Sequence, residues 1–328
     1  MFSKVLVPLD RSSLAEQALG QAAAIARASH AEVDIVLVHE PLQFSGYRGG
    51  AVSTGDTQAE EKYIEALAAD LGSGASIPVT HAVLHGQPAE MICTRAREIG
   101  ATLIVMTSHG RTGLSRAWLG SVADAVVRRA AIPVLMLRPV DKPAGRFAAR
   151  HLFKRVLVPL DGSRLAAEAL EPAAALAQCS GATVVLLHVV QPVPLVVPYD
   201  INQPFVYPPP IPDAEATDRV VQDVIRELEE VARGLRERGS VKVEAHVIVG
   251  GRVAEDIIDF ARGHNIDVIA MSTRGRGASR ILLGSVADKL LRASGLPILL
   301  RRPIAVGEDQ PLLTSAEVAE QLPALSIP

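Results

Sequence analysis

Aromatic side chains are scarce in this 328-residue chain, with six Phe, four Tyr and one Trp. That leaves little with which to build stacking platforms for unpaired bases. An excess of one charge is also missing. Lys and Arg total 33 against 36 Asp and Glu, a formal net charge of −3. So small an imbalance does not drive binding to nucleic acid or to an anionic membrane surface. The two cysteines, Cys93 and Cys179, form no Cys-x-x-Cys pair and fall at unlike places in the chain. They argue against a disulfide framework and a zinc site, and for a reducing compartment. No apolar run approaches the roughly 18 residues of a membrane helix. Asp10 arrives too early for a secretory leader. The expectation is a soluble cytoplasmic protein with no metal, nucleic-acid or membrane partner. No G-x4-G-K-[ST] occurs, and no G-x-G-x-x-G follows the first apolar run. Nucleotide hydrolases of the P-loop type and dinucleotide oxidoreductases therefore lose support.

What the chain does have, it has twice. KVLVPLDRS (4–12) returns as RVLVPLDGS (155–163), and VDIVLVHE (33–40) as TVVLLHVV (183–190). HGQPAEMI (85–92) returns as GGRVAEDI (250–257), and ATLIVMTSHGR (101–111) as IDVIAMSTRGR (266–276). LGSVADAVVRRAAIPVLMLRP (119–139) returns as LGSVADKLLRASGLPILLRRP (283–303). Five blocks in one order mean one domain copied. The expected domains are 1–140 and 153–303, with a linker over 141–152 and a tail over 304–328. In the tail, SAEVAEQL (315–322) reads as a short helix.

Each copy alternates short β-branched runs with Ala-rich periodic stretches, such as 13–29 and 165–180. Runs of that kind suit strands buried on both faces. The alternation implies right-handed crossovers, hence an α/β fold with a parallel sheet between helices. Ligands bind such sheets beyond the carboxyl ends of the strands. Asp10, His39 and Ser108 fall there, as do Asp161, His188 and Thr273. The copies differ in a Pro-rich insertion over 191–213, where repeated Pro forbids helix and central strand. Its apolar residues Val196, Val197, Phe205 and Tyr207 point to packing, either as a lid on the second site or against a partner. A surface loop without a role stays open as well.

The Gly-Ser pairs Gly120–Ser121 and Gly284–Ser285 each precede a periodic stretch. Two readings stay open. A helix start offers unpaired N–H groups and partial positive charge, an anion site when Gly permits close approach. Gly110 and Gly275 lie upstream, and Arg111, Arg116, Arg276 and Arg280 add cations. Alternatively Ser121 with Asp124, and Ser285 with Asp288, form capping pairs and need no ligand. A helix end contributes about 0.3–1 kcal/mol to an exposed charge and up to ~2 when partly buried. Micromolar binding needs roughly 8 kcal/mol. A second group must therefore hold the rest of a ligand. Asp10 and Asp161 are the candidates, as acceptors for ribose hydroxyls. Their structural alternative is capping of the next helix, where Ser13 with Glu16 already forms a box.

At these residues the chain resembles the universal stress protein family. The likeness rests on VPLDRS and VPLDGS, on the HE and HV after the second strand, on SHG-x9-GS and TRG-x8-GS, each with Arg following the first Gly, and on IPVLMLRP and LPILLRRP. It covers about 1–140 and 153–303. It implies two copies of a doubly wound five-stranded parallel sheet, order 3-2-1-4-5, with helices on both faces. It also implies pairing through the last strand, which two copies in one chain can satisfy as a pseudo-dimer. A homodimer of the whole chain is open. Some members bind ATP and others do not. The ATP-binding pattern G-x2-G-x9-G-[ST] places Gly110, Gly120 and Ser121 in the first copy and Gly275, Gly284 and Ser285 in the second. Thr107 and Ser272 stand at the leading glycine, and the second spacer is one residue short. The resemblance implies that ATP, with Mg, contacts these residues, and also Pro8, Asp10, Pro159 and Asp161. It places His109, Arg111, Arg274 and Arg276 beside the phosphates, and the backbone of Glu40 and Val189 against adenine.

Little points to catalysis. His109 matches Arg274, so a general base would exist in one copy only. His39 and His188 read as strand-end histidines with a satisfied hydrogen bond. Glu90 and Glu255 open the third helix, where negative charge is stabilising. No Ser-His-Asp triad or carboxylate pair can be argued from the spacings. The expected function is an ATP-binding stress regulator with little or no turnover, and the alternative is a nucleotide-free interaction scaffold.

Overall fold

The computed structural model describes residues 1–40, 54–108, 119–139, 147, 152–195, 211–239, 241–273 and 283–303. The first half runs β1 (Lys4–Leu9), α1 (Ser13–Ser29), β2 (Glu32–His39), α2 (Thr54–Ala75), β3 (Val79–His85), α3 (Pro88–Glu98), β4 (Leu103–Thr107), α4 (Ser121–Arg129) and β5 (Val134–Leu137). The second runs β6 (Arg155–Leu160), α5 (Arg164–Ala167), α6 (Leu170–Ser180), β7 (Thr183–Val190), α7 (Ala214–Gly239), β8 (Lys242–Val249), α8 (Val253–Gly263), β9 (Val268–Ser272), α9 (Ser285–Ala293) and β10 (Ile298–Arg301).

The β-branched runs become strands because both faces of the sheet are covered. Val5, Val7 and Leu9 of β1 join a core with α1 and α2, while Leu6 between them joins another with α3 and α4. Period-two geometry sends successive side chains to opposite faces, so a strand between two helix layers must be apolar throughout. The edge strand β3 escapes this rule and keeps Thr80, His81 and His85.

Within each half the strand order is 3-2-1-4-5, all parallel. The halves then merge. β5 pairs antiparallel with β10, giving one ten-stranded sheet, β3-β2-β1-β4-β5-β10-β9-β6-β7-β8. Leu135 sits opposite Leu299, its own repeat counterpart. A pseudo-two-fold axis therefore passes through that pair, which makes the contact isologous within one chain.

One helix differs from expectation. The stretch 165–180 is broken between α5 and α6, and the Ala169 amide bonds to Ala166 rather than four residues back. Pro172 accounts for this. Its ring lacks an N–H and collides with the carbonyl of the fourth residue before it, Glu168, where α5 stops. Gln21 stands at that place in α1, which runs unbroken. Of the Pro-rich insertion only the two feet are described. Pro194 bridges Pro212, and the Leu195 amide donates to the Ile211 carbonyl at 2.7 Å. Val196, Val197, Phe205, Tyr207, the tail with 315–322, and the linker apart from Phe147 and Leu152 lie outside the described residues.

Candidate functional site

A parallel sheet opens a crevice where neighbouring strands part. In the first half β1 keeps its ladder with β2 as far as Leu9, but its ladder with β4 ends at the Leu6–Ile104 pair. The second half repeats this. β6 follows β7 to Leu160 and leaves β9 after Leu157–Ile269. Pro8 and Pro159 lie in the stretches that part. A proline has no N–H to offer a second neighbour, so a central strand loosens there. The predicted prolines thus mark the fork, at the point where strand order reverses.

Asp10 and Asp161 stand on one lip of the fork, just past β1 and β6. Each is tied to its own loop. Asp10 Oδ1 accepts from the Ser12 amide at 3.0 Å and the Ser12 hydroxyl at 2.6 Å. Asp161 does the same with Ser163, at 3.0 and 2.6 Å. The serine then caps the helix, its Oγ accepting from Ala15 or Ala166 at 3.1 Å. The capping residue of α1 is therefore Ser12, not Ser13, and the aspartates are not caps. They orient the serines that are, a role legible in the Asp-x-Ser spacing of both copies.

Across the fork stand the ends of β4 and β9. Thr107 and Ser272 close these strands and are buried, as are Ser108 and Thr273 after them. Each helix start is moored to that point. The Gly120 amide donates to the Ser108 carbonyl, and the Gly284 amide to the Thr273 carbonyl, both at 2.9 Å. A Cβ on Gly120 would lie 3.3 Å from the Ser108 oxygen, closer than side chains usually approach. Gly120 and Gly284 are the N-cap residues of α4 and α9, with Ser121 and Ser285 one position inside. The capping alternative is thereby corrected. Neither N-cap carries a side-chain cap, and Asp124 and Asp288 turn along their helices. Asp124 takes two hydrogen bonds from Arg128 at 2.8 and 3.0 Å, and Asp288 two from Arg292 at 2.8 and 2.9 Å. The first amide in the ladder of α4 is that of Asp124, bonded to the Gly120 carbonyl. The N–H groups of Ser121, Val122 and Ala123 precede that ladder and lie at the positive end of the helix.

The second strands need a correction. β1 sets Pro8 against Val36, and β6 sets Pro159 against Leu187. The Gly86 amide meets the His39 carbonyl, and the Gly250 amide meets the Val190 carbonyl. Both facts make Val190 the counterpart of His39, and Leu37 that of His188. Glu40 therefore corresponds to Gln191, and Val189 to Val38. The two copies present different residues at the end of the second strand. His39 does have the expected hydrogen bond, 2.9 Å from Nδ1 to Glu60 Oε2. Glu60, buried on α2, escaped sequence reasoning because an isolated Glu in a charged helix gives no signal of burial.

Glu90 and Glu255 lie in the first turns of α3 and α8, as expected. Lys289 of α9 holds Glu255 at 2.5 Å and lowers its carboxyl from the usual range. His109, Gly110, Arg111, Arg274, Gly275 and Arg276 lie outside the described residues, with Arg116 and Arg280. Among the described residues no group of three or more His, Cys, Asp or Glu is arranged to hold a metal ion. Among them, too, no helix is long and apolar enough to cross a membrane.

Fold and fork together define a class: a tandem α/β protein whose two halves each open a strand-end crevice against a glycine-led helix start. The model of the universal stress protein family matches residues 1–138 and again 152–302. The chain belongs to that family. A universal stress protein of Methanocaldococcus jannaschii is 32% identical over 149 residues, covering 43% of this chain and 85% of the relative. One from Mycobacterium tuberculosis is 26% identical over 234 residues, covering 71% of this chain and 72% of the relative. The crystal structure of a universal stress protein from Archaeoglobus fulgidus superposes with a TM-score of 0.62 at 22% identity, covering 91% and 98% of the two chains. That likeness concerns the fold alone.

Proposed function

We propose that the chain binds an adenine nucleotide, ATP with Mg, at its strand-end crevices and acts as a cytoplasmic stress-response regulator with little or no turnover. The observation that carries this is the first turn of α4, moored at the end of β4 with no capping side chain at Gly120. An anion fits there, and Asp10 across the fork fits a ribose hydroxyl. Gly275 and Arg276 with Gly110 and Arg111 would complete the phosphate loops, and His109 and Arg274 would donate beside them.

A calorimetric titration with ATP-Mg tests the reading. Saturable heat and a rise in melting temperature are expected, since a ligand selective for the folded state stabilises it. Gly120→Val combined with Gly284→Val is expected to abolish both effects. A flat response at millimolar ATP would overturn the nucleotide reading and leave the scaffold in its place.

A further inference from the structure

The two crevices share a backbone and are finished with different side chains. Beside the first, Glu60 of α2 is only 6% exposed. Its Oε2 meets His39, and its Oε1 lies 3.6 Å from Arg11 Nη1. The His39 ring is 5.4 Å from that of His85, its partner in the β2–β3 ladder. Exposed Glu40 follows His39 directly. Every one of these positions changes in the second half. Gly162, Val190 and Val249 stand where Arg11, His39 and His85 do, and Gln191 where Glu40 does. The shared buried face of the second helices (Ile64 with Leu228, Leu67 with Val231, Leu71 with Leu235) sets Val224 at the place of Glu60.

A nucleotide laid with its phosphates at the helix start and its ribose at the β1 or β6 lip extends its base toward the end of the next strand. A flat, weakly polar ring gains from apolar surface there and loses where charged groups must give up water. The second rim offers buried Val190 and half-exposed Val249. The first offers a guanidinium, two imidazoles and two carboxylates, with the exposed Arg11 guanidinium 3.6 Å from Glu60.

We propose that the second half is the high-affinity nucleotide site and that the Arg11–Glu60–His39 group, with His85, makes the first half discriminate against a nucleotide. This rests on the nucleotide reading above. The expected gap is at least about tenfold in Kd.

Titration of the full chain with ATP-Mg is expected to show one tight step, with a stoichiometry near one, that Gly284→Val removes. The variant Arg11→Gly/His39→Val/Glu60→Val/His85→Val is expected to gain a second tight step. Two steps of equal affinity in the unaltered chain would overturn the proposal and leave nucleotide binding standing. So would a tight step that survives Gly284→Val, or a folded quadruple variant, judged by its melting transition, that gains nothing. No binding by the unaltered chain would remove both readings together.

Discussion

Arg95 of α3 clamps Asp34 of β2 under the first half of the sheet. Nε reaches Oδ1 at 3.1 Å and Nη2 reaches Oδ2 at 2.9 Å. The Thr80 hydroxyl adds a third bond at 2.6 Å. Asp34 is 1% exposed, and its hydrogen bond holds the Arg95 guanidinium above its ordinary range. In the second half the same places carry Val185 and Phe260, both buried in an apolar core. One scaffold thus accepts either a buried ion pair or an apolar pair.

The duplication makes this a ready-made mutant cycle. Arg95→Ala strands a buried carboxylate and is expected to cost about 3–5 kcal/mol. Asp34→Val with Arg95→Phe copies the second half and is expected to fall within about 1.5 kcal/mol of the unaltered chain. Denaturant unfolding of the singles and the double measures the coupling. A double variant as weak as the two singles added together would show that the pair does not act as a unit.

Arg11 and Gly162 occupy one turn position, with φ of 68° and 79°. A residue with a Cβ is strained there by roughly 1–2 kcal/mol. In the first half Arg11 has Glu60 within reach, whereas the second half has Val224 at that place. Gly162→Ala is therefore expected to destabilise by about 1 kcal/mol. Arg11→Gly is expected to do less, because relief of strain offsets the lost contact. Equal losses at the two positions in chemical denaturation would contradict this account.

The parts of the fold readable from sequence were those that local chemistry dictates. Strands covered on both faces must be apolar throughout, so β1, β2, β4 and β5 and their repeats were visible as β-branched runs. The sequence places Asp10 and Asp161 past their strand ends, but the parting of β1 from β4 and of β6 from β9 shows only in the ladders. What depends on long-range register was not visible. His39 and His188 look like counterparts because an apolar strand compared with another apolar strand tolerates a two-residue slip, and the strand register together with the bonds from Gly86 and Gly250 fixes the true alignment. The break near Glu168 carried a local signal, Pro172, that an Ala-rich background hid. The Ser-x-x-Asp pairs resembled caps, but Arg128 and Arg292 stand four residues on and take the carboxylates away.

Neither cysteine is poised for chemistry. Burial raises the thiols of Cys93 and Cys179 above their ordinary range, and for Cys93 the nearby Arg129, Arg97 and Arg302 only partly oppose this. The thiolate is the reactive form. Alkylation of the native protein at neutral pH is expected to be slower than that of a free thiol. Cys93, half-buried, is expected to react before buried Cys179. Mass spectrometry over a time course checks the order, and rapid labelling of Cys179 in the folded state would refute it.

The join between the halves is held by arginines that reach across it in both directions. Arg138, just after β5, donates to the Leu291 carbonyl in the last turn of α9. Its counterpart Arg302, just after β10, donates to the Arg128 carbonyl in the last turn of α4 at 3.3 Å. Arg301 adds a bond to the Ala131 carbonyl at 2.8 Å. The last carbonyls of a helix lack partners and carry its negative end, so a guanidinium from the facing half satisfies both needs. Burial costs something in return and lowers the Arg138 guanidinium from its ordinary range. A hydrogen bond from a charged group contributes about 1.5–3 kcal/mol. Arg138→Met with Arg302→Met keeps the side-chain stems and is expected to lose about 3 kcal/mol or more of cooperative stability. Because these bonds join the halves, the loss is expected to split one calorimetric transition into two, with the β5–β10 ladder as the remaining tie. A double variant that melts as one unit at the unaltered temperature would mean that the ladder and its Leu135–Leu299 contact suffice.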